Sequence, residues 1–125
     1  MAPKTRAWIG GAVLAAALLA LPGCGGPAAN EVDTRLVSFA RSSVTITHGE
    51  AVRFVSSNQS GGVHVLCIGH GLTCMPQPSA PAELNTTTGL DIEPGSEHDI
   101  IFPNAGTYHV ICTIHPNMEM DVIVK

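Results

Sequence analysis

The stretch from Thr107 to Val124 places three side chains that bind soft metal ions in one short loop between two apolar runs. It reads T-Y-H-V-I-C-T-I-H-P-N-M-E-M-D-V-I-V, with Cys112, His115 and Met118 at its centre. The apolar runs on either side predict strands, and Pro116-Asn117 predicts a turn between them. A thiolate, an imidazole and a thioether together favour copper over hard cations. The stretch therefore predicts a copper-binding loop held between two strands.

A copper centre of this composition requires a second imidazole. The plane of a blue-copper centre consists of two histidines and one cysteine, with a weak axial methionine. His64, inside the apolar run Val63 to Ile68, is the candidate for the missing ligand.

At these residues the chain resembles the cupredoxins, and within them the amicyanins and pseudoazurins. Amicyanin-like proteins carry a C-T-x-H-P-x-M loop followed by an apolar strand, and here C-T-I-H-P-N-M runs into D-V-I-V. The segment N-Q-S-G-G-V-H places His64 after an Asn-containing loop, as the family places its first ligand histidine. The resemblance covers Thr34 to Lys125. It implies one copper ion that cycles between Cu(I) and Cu(II) in single-electron transfer, with the edge of His115 as the electron port.

Two methionines compete for the axial position. The spacing from His115 to Met118 is amicyanin-like, whereas Met120 would give the longer loop of plastocyanin and pseudoazurin. Pro116 directly after the histidine and the apolar strand beginning near Val122 favour the shorter loop. We predict Met118 as the axial ligand, with Met120 as the alternative.

From Arg35 onward, short runs rich in β-branched and aromatic residues alternate with turn residues. This texture predicts an all-β fold, a Greek-key β-sandwich of about 7–8 strands. Gly69 to Leu90 is the one long irregular excursion. The predicted strands outside the copper-binding stretch are Leu36–Ala40, Val44–Thr47, Val52–Val55, Val63–Ile68 and Glu97–Phe102.

The N-terminal segment predicts export. Lys4 and Arg6 precede an apolar run from Ala7 to Leu21 that is short for a transmembrane helix. The run ends at L-P-G-C, which resembles a bacterial lipobox with Cys24 as the lipidated residue. We therefore predict a signal peptide over residues 1–23, a flexible lipid-anchored tether over 24–33 and a domain over 34–125. An uncleaved membrane anchor and a plain secretory signal are the alternatives, and both of them also export the domain. The lipoprotein signal predicts a location in the cell envelope, anchored to the outer face of the cytoplasmic membrane or on the periplasmic side.

Charge and motif content narrow the function. Loss of Lys4 and Arg6 with the signal changes the formal net charge from −4 to −6 (−4 − 2), which argues against nucleic-acid binding. Because the sequence shows no catalytic grouping, we expect an electron carrier and not an enzyme. The family resemblance implies redox partner proteins that dock near His115, and we expect a monomer. A lipoprotein for copper delivery or storage is the first alternative. A sandwich that binds no metal and serves as an interaction module is the second.

The cysteines agree with this interpretation. With Cys24 assigned to lipidation, three cysteines remain in an oxidising compartment. Cys67 and Cys74 are positioned to close a small loop by a disulfide, which leaves Cys112 for the metal. The alternative is a Cys67–Cys112 bridge across the sandwich, which would leave Cys74 unpaired and the spacing of the copper-binding loop unexplained.

The other histidines are weaker candidates. His48 lies in a predicted turn and His98 at a polar strand start, and we expect both to be solvated. His109 falls on the opposite face of its strand from the copper-binding side chains, which makes it a poor ligand. His70, in the loop expected to be closed by the disulfide, is a candidate for a second and weaker metal contact.

Overall fold

The computed structural model describes residues 29–125, and these form nine strands in two sheets. The predicted all-β sandwich is confirmed, with three short strands that the sequence did not indicate. Residues 29–125 include no helix able to span a membrane. The strands are β1 (Glu31–Thr34), β2 (Ser43–Ile46), β3 (Ala51–Ser56), β4 (His64–His70), β5 (Thr73–Cys74), β6 (Leu90–Ile92), β7 (Glu97–Ile101), β8 (Gly106–Cys112) and β9 (Glu119–Val124).

The two sheets divide the chain unequally. The smaller sheet has the order β1-β3-β7, and the larger has the order β2-β9-β8-β4-β5, with β6 also paired to β4. The pairs β1–β3 and β2–β9 are parallel, and the other pairs are antiparallel. All the predicted metal ligands lie on the larger sheet or in its loops, so this sheet positions the site.

Alternation of apolar and polar side chains explains how these strands face the core. In β3 the side chains of Val52 and Phe54 are fully buried while Arg53 between them is exposed. In β9 the inward positions are Met120, Val122 and Val124. Because successive side chains of a strand point to opposite faces, each strand gives one apolar face to the space between the sheets.

The antiparallel pairing of β4 with β8 brings distant parts of the sequence to one end of the sandwich. Leu66 lies opposite Cys112 in this ladder, so the first residue of β4 and the last residue of β8 lie at the same sheet end. Strand β9 starts at Glu119, directly after the copper-binding loop. The starts of β4 and β9 and the end of β8 therefore meet at this end of the sandwich, which we call the ligand end.

The predicted strand at Leu36–Ala40 is wrong. The chain turns there, because the N–H of Arg35 donates to the carbonyl of Ser38 at 2.8 Å. Within this segment only Phe39 makes a strand-type bridge, to Thr34. The apolar run thus forms a loop whose first two side chains are 62% exposed.

The strand in this region is β1, which pairs with β3 and begins at Glu31. The ordered sandwich therefore starts before the domain boundary predicted at Thr34, inside the range assigned to the tether. Backbone pairing with β3 gives Glu31 to Asp33 their strand conformation although the local sequence is mixed. The predicted signal peptide and Cys24 lie outside the described residues.

A disulfide joins Cys67 of β4 to Cys74 of β5, with the two sulfur atoms 2.10 Å apart. Cys112 is free and buried, so the alternative Cys67–Cys112 bridge is absent. The disulfide closes the first part of the excursion after β4. Further along the excursion Leu84 is fully buried, and its carbonyl accepts a hydrogen bond from the N–H of Ile68 at 2.9 Å. The excursion is thereby fixed against the larger sheet.

Candidate metal centre

Three of the predicted ligands meet at the ligand end. His64 is the first residue of β4, Cys112 is the last residue of β8, and His115 lies in the loop between β8 and β9. One ligand atom from each residue lies within 4.8 Å of the other two. The structure therefore brings together side chains that are up to 51 positions apart (115 − 64).

Both imidazoles face the sulfur through the same ring atom. The Cys112 Sγ lies 3.9 Å from His64 Nδ1 and 3.5 Å from His115 Nδ1. In a trigonal His2Cys centre, metal–nitrogen and metal–sulfur bonds of about 2.0 and 2.3 Å would separate nitrogen from sulfur by about 3.7 Å. The two observed distances lie on either side of this value, so the three side chains fit a trigonal copper ion.

The loop that carries His115 is shaped by a tight turn. The N–H of Met118 donates to the carbonyl of His115 at 3.2 Å, and Asn117 has φ +62°. A type II turn requires a positive φ at its third residue and favours proline at its second, and Asn117 and Pro116 meet these two requirements. The sequence P-N thus fixes the turn that presents His115 and returns the chain to β9.

Backbone hydrogen bonds fix the ligand strands relative to one another. The N–H of Cys112 donates to the carbonyl of Met118 at 2.9 Å, which closes the base of the loop. The N–H of Thr113 donates to the carbonyl of Val65 at 2.9 Å, which ties the loop to the strand of His64. The end of β8 is therefore bonded both to the Met118 turn and to the residue that follows His64.

The centre is fully buried on the side of His64 and Cys112 and reaches solvent on the side of His115. His64 and Cys112 have no exposed surface, and His115 is half-buried. Burial, and next the neighbouring His115, lower the pKa of His64 below its ordinary value, an effect that the Ser60 backbone opposes. A lowered pKa keeps the imidazole neutral, the form that binds metal ions. The Nε2 atom of His64 makes no hydrogen bond within residues 29–125, whereas its Nδ1 faces the Cys112 sulfur.

The two methionines occupy different kinds of position. Met118 is buried in the loop, and its backbone is bonded to both Cys112 and His115. Met120 is equally buried but lies inside β9, opposite Val110 of β8. The backbone contacts favour Met118, which stays the predicted axial ligand.

The remaining histidines lie outside this centre. His48 is exposed in the turn before β3, and His98 is half-buried on β7. His109 lies on β8 with its side chain on the face away from the core, as its place in the strand predicts. His70, at the end of β4, stacks its ring on that of His109, with ring centroids 4.9 Å apart.

The sequence interpretation missed a polar cluster around His109. Its Nδ1 lies 2.7 Å from Oδ1 of Asp121, and its Nε2 lies 3.2 Å from Oε2 of Glu119. The hydrogen bond to Asp121 is the main reason why the pKa of His109 is raised above its ordinary value, with Glu119 contributing in the same direction. The β8–β9 register that pairs His109 with Asp121 was the missing information. The length of the loop from Cys112 to Met118 limits how β8 and β9 can pair, and it was the signal in the sequence that could have indicated this register.

Comparison with known proteins gives a family and a fold. Residues 27–125 match the family of copper binding proteins described as the plastocyanin/azurin family. None of the curated protein sequences matches the chain. Among solved structures, amicyanin from Paracoccus versutus is 23% identical in sequence. The match covers 76% of this chain and 79% of the amicyanin chain, with a TM-score of 0.55. The Cu(I) form of the M51A mutant of amicyanin is 20% identical, with 81% and 86% coverage and a TM-score of 0.58.

These matches agree with the site built from the residues. The family match extends over all nine strands, and the solved structures share the fold. Copper is the cofactor that this family and the His64–Cys112–His115 group indicate together. The chain therefore belongs to the plastocyanin/azurin family of copper-binding, electron-transfer proteins.

Proposed function

We propose that this chain is a single-electron carrier of the cell envelope, with one type 1 copper ion held by His64, Cys112 and His115. Met118 supplies the weak axial bond. Copper, when bound, supplies the chemistry by gaining and losing one electron. The protein acts as a carrier and not as an enzyme, and its partners are other redox proteins.

The observation that carries the proposal is the placement of the Cys112 sulfur between two imidazole nitrogens at 3.5 and 3.9 Å. Fixed ligands favour electron transfer, because the site then changes little when the charge on the metal changes. The backbone bonds at Cys112 and Thr113 supply that fixation. Complete burial of His64 and Cys112 also disfavours exchange of the ion, which a copper-delivery protein needs.

His115 is the part of the centre nearest to solvent. It is half-buried, while its neighbour Ile114 is 50% exposed. An exposed apolar side chain beside a partly exposed ligand favours close approach of a partner protein, since apolar surface gains from leaving water. We infer that redox partners dock around His115 and that the protein works as a monomer.

The location rests on the sequence. The charged start, the apolar run and the L-P-G-C ending support a lipoprotein signal over residues 1–23 with Cys24 as the lipidated residue. The Cys67–Cys74 disulfide supports an oxidising compartment. We infer that the sandwich is held at the outer face of the cytoplasmic membrane, or on the periplasmic side, by a short tether.

Loss of the thiolate is the decisive test of the copper site. Cys112→Ser should abolish the intense visible band of the copper-loaded protein, because a hydroxyl does not replace the soft sulfur donor. The band is measured by absorption spectroscopy together with the copper content, and circular dichroism checks that the sheet is retained. His48→Gln, in an exposed turn, is the matched control and should leave the band unchanged.

Two outcomes contradict the proposal. A band that persists in Cys112→Ser would remove Cys112 from the site. A native protein that binds one Cu(I) ion tightly but develops no intense colour on oxidation would favour copper delivery or storage over electron transfer.

A further inference from the structure

Two histidines and two carboxylates, which are side chains of types that can bind metal ions, lie together on the outer face of the larger sheet, away from the copper centre. This group consists of His70 of β4, His109 of β8, and Glu119 and Asp121 of β9. On β8 and β9 the neighbouring residues Val110 and Met120 are buried in the core, so strand alternation turns His109, Glu119 and Asp121 outward. The ring contact with His109 places His70 beside them. The group contains no cysteine, and its chemistry is therefore different from that of the copper centre.

Asp121 sets the orientation of the central imidazole. Its Oδ1 lies 2.7 Å from Nδ1 of His109, and the carboxylate accepts the Nδ1–H. In a neutral imidazole held in this way, the lone pair belongs to Nε2. A carboxylate that accepts the distal N–H of a histidine is the usual support of a metal-bound imidazole, because it fixes the tautomer and strengthens the donor.

The free nitrogen already faces a second donor. Nε2 of His109 lies 3.2 Å from Oε2 of Glu119. Two ligands bound to one tetrahedral ion at about 2.0–2.2 Å are about 3.4 Å apart, so this spacing is close to that of a shared ion. A proton bridges the two atoms in the absence of metal, and the metal replaces it.

His70 supplies the third donor. Its ring stacks on that of His109 at 4.9 Å with an interplanar angle of 20°. Within residues 29–125 only the copper-site group has all its ligand atoms within 4.8 Å of one another, so His70 has to turn to complete a second site. His70 is exposed at the end of β4, and its ring turns without displacing any core side chain.

We propose that His70, His109 and Glu119 form a second metal site, separate from the copper centre, for a divalent ion of the zinc class. Imidazole and carboxylate donors suit Zn²⁺, and three protein ligands leave one position for water. Asp121 is a positioning residue that acts through His109. The bound ion cross-links β4, β8 and β9, the three strands next to the copper ligands.

The test is a titration of Zn²⁺ alone into the full chain with its copper centre filled with Cu(I), so that the copper ligands are not available. Isothermal titration calorimetry should show one saturable equivalent, and histidine-ring NMR should show that His70 and His109 shift together. Thermal unfolding should move to higher temperature with added Zn²⁺, because an ion that binds only the folded state stabilises it.

Variants identify the ligands. His70→Gln, His109→Gln and Glu119→Gln should each weaken Zn²⁺ binding about tenfold or more, and Asp121→Asn by about 10- to 100-fold. His48→Gln removes an exposed histidine elsewhere and should leave the affinity unchanged. His70→Gln alters only an exposed ring, so its result stands even where His109→Gln lowers stability.

The proposal is overturned by the absence of saturable binding to the native chain. It is also overturned by native affinity in His70→Gln, which would show that His70 is not a ligand. Since the copper ligands take no part, these outcomes are independent of whether the copper centre transfers electrons.

Discussion

Met118 and Met120 are separated by one residue, yet the backbone places them differently. Met118 belongs to the turn that presents His115, and its carbonyl accepts the N–H of Cys112. Met120 belongs to the β8–β9 ladder opposite Val110, where an inward methionine fills the core. The difference lies in the backbone, since the two side chains are equally buried.

Substitution by glutamine separates the two roles. Met118→Gln should shift the visible spectrum and lower the reduction potential, because an amide oxygen is a stronger axial donor to Cu(II) than a thioether. Met120→Gln should leave the potential nearly unchanged but destabilise the fold, since it buries an amide without a partner, at a cost of about 1–3 kcal/mol. Voltammetry and urea unfolding measure the two effects. A larger change of potential in Met120→Gln would make Met120 the axial ligand.

How far the sequence predicts the site depends on the separation of its residues. Cys112, His115 and Met118 share one loop, so their spacing alone indicated a soft metal site. His64 lies on another strand, and only the requirement for a second imidazole and the family resemblance selected it. Within residues 29–125 the buried Nε2 of His64 has no hydrogen-bond partner, a feature of tertiary packing that no local pattern encodes.

The hairpin formed by β8 and β9 is stabilised by side-chain contacts on both of its faces near the copper-binding loop. On the inner face Val110 and Met120 pack in the core. On the outer face His109 bridges Asp121 and Glu119 across the two strands. The pKa of His109 is raised first by the hydrogen bond to Asp121, so the protonated ring is the form that stabilises the hairpin.

This linkage gives stability a pH dependence with a definite sign. A histidine whose folded-state pKa is raised stabilises the fold fully below its unfolded pKa of about 6.5, and loses that contribution as the pH rises through the folded value. His109→Gln should therefore destabilise the metal-free protein more at about pH 5 than at about pH 9. Urea unfolding with a chelator present measures the difference, and His48→Gln is the control. A loss of stability that grows with pH would contradict the role given to the protonated ring.

For the strands, as for the site, the sequence predicted what depends on local pattern and not what depends on pairing between distant segments. Strands with alternating side chains, such as β3, were predicted close to their observed bounds. Leu36–Ala40 has the composition of a strand but forms a turn, because the smaller sheet takes Glu31–Thr34 as its edge strand instead. Edge pairing depends on which segment reaches the sheet, and composition alone does not decide it.

Across the whole molecule, the start of the sandwich and the copper centre lie at opposite ends. The side-chain amide of Asn30 donates to the carbonyl of Ala51 at 2.6 Å, at the start of β3. The turn before β3 is bonded to Lys125, because the N–H of His48 donates to its carbonyl at 2.8 Å. Lys125 follows the end of β9, and β9 runs away from the copper-binding loop. Under the proposed lipid anchor, the tether would therefore join the sandwich at the end opposite His115.

If Cys24 is the lipidated residue, as proposed, the length of chain before β1 limits how far the sandwich can move from the membrane. The seven residues from Cys24 to Asn30 (30 − 24 + 1) span at most about 25 Å when fully extended. One acyl chain gives only marginal membrane binding, so stable anchoring requires more than one chain on Cys24. Under the proposed anchor, the domain would therefore stay close to the bilayer.

Cys24→Ser tests the anchor without disturbing the copper centre. Cells grown with labelled palmitate should incorporate the label into the native chain and not into Cys24→Ser, and the intact mass should place the native N-terminus at Cys24. Membrane association alone does not decide the question, because an uncleaved apolar segment would also retain the protein.

Cys112→Ser is the matched control and should keep the label. Copper-loaded Cys24→Ser should retain its visible band, since Cys24 precedes β1 and the copper ligands lie at the far end of the sandwich. Label that persists in Cys24→Ser, or a native chain without label, would replace the lipid anchor with one of the other two export routes.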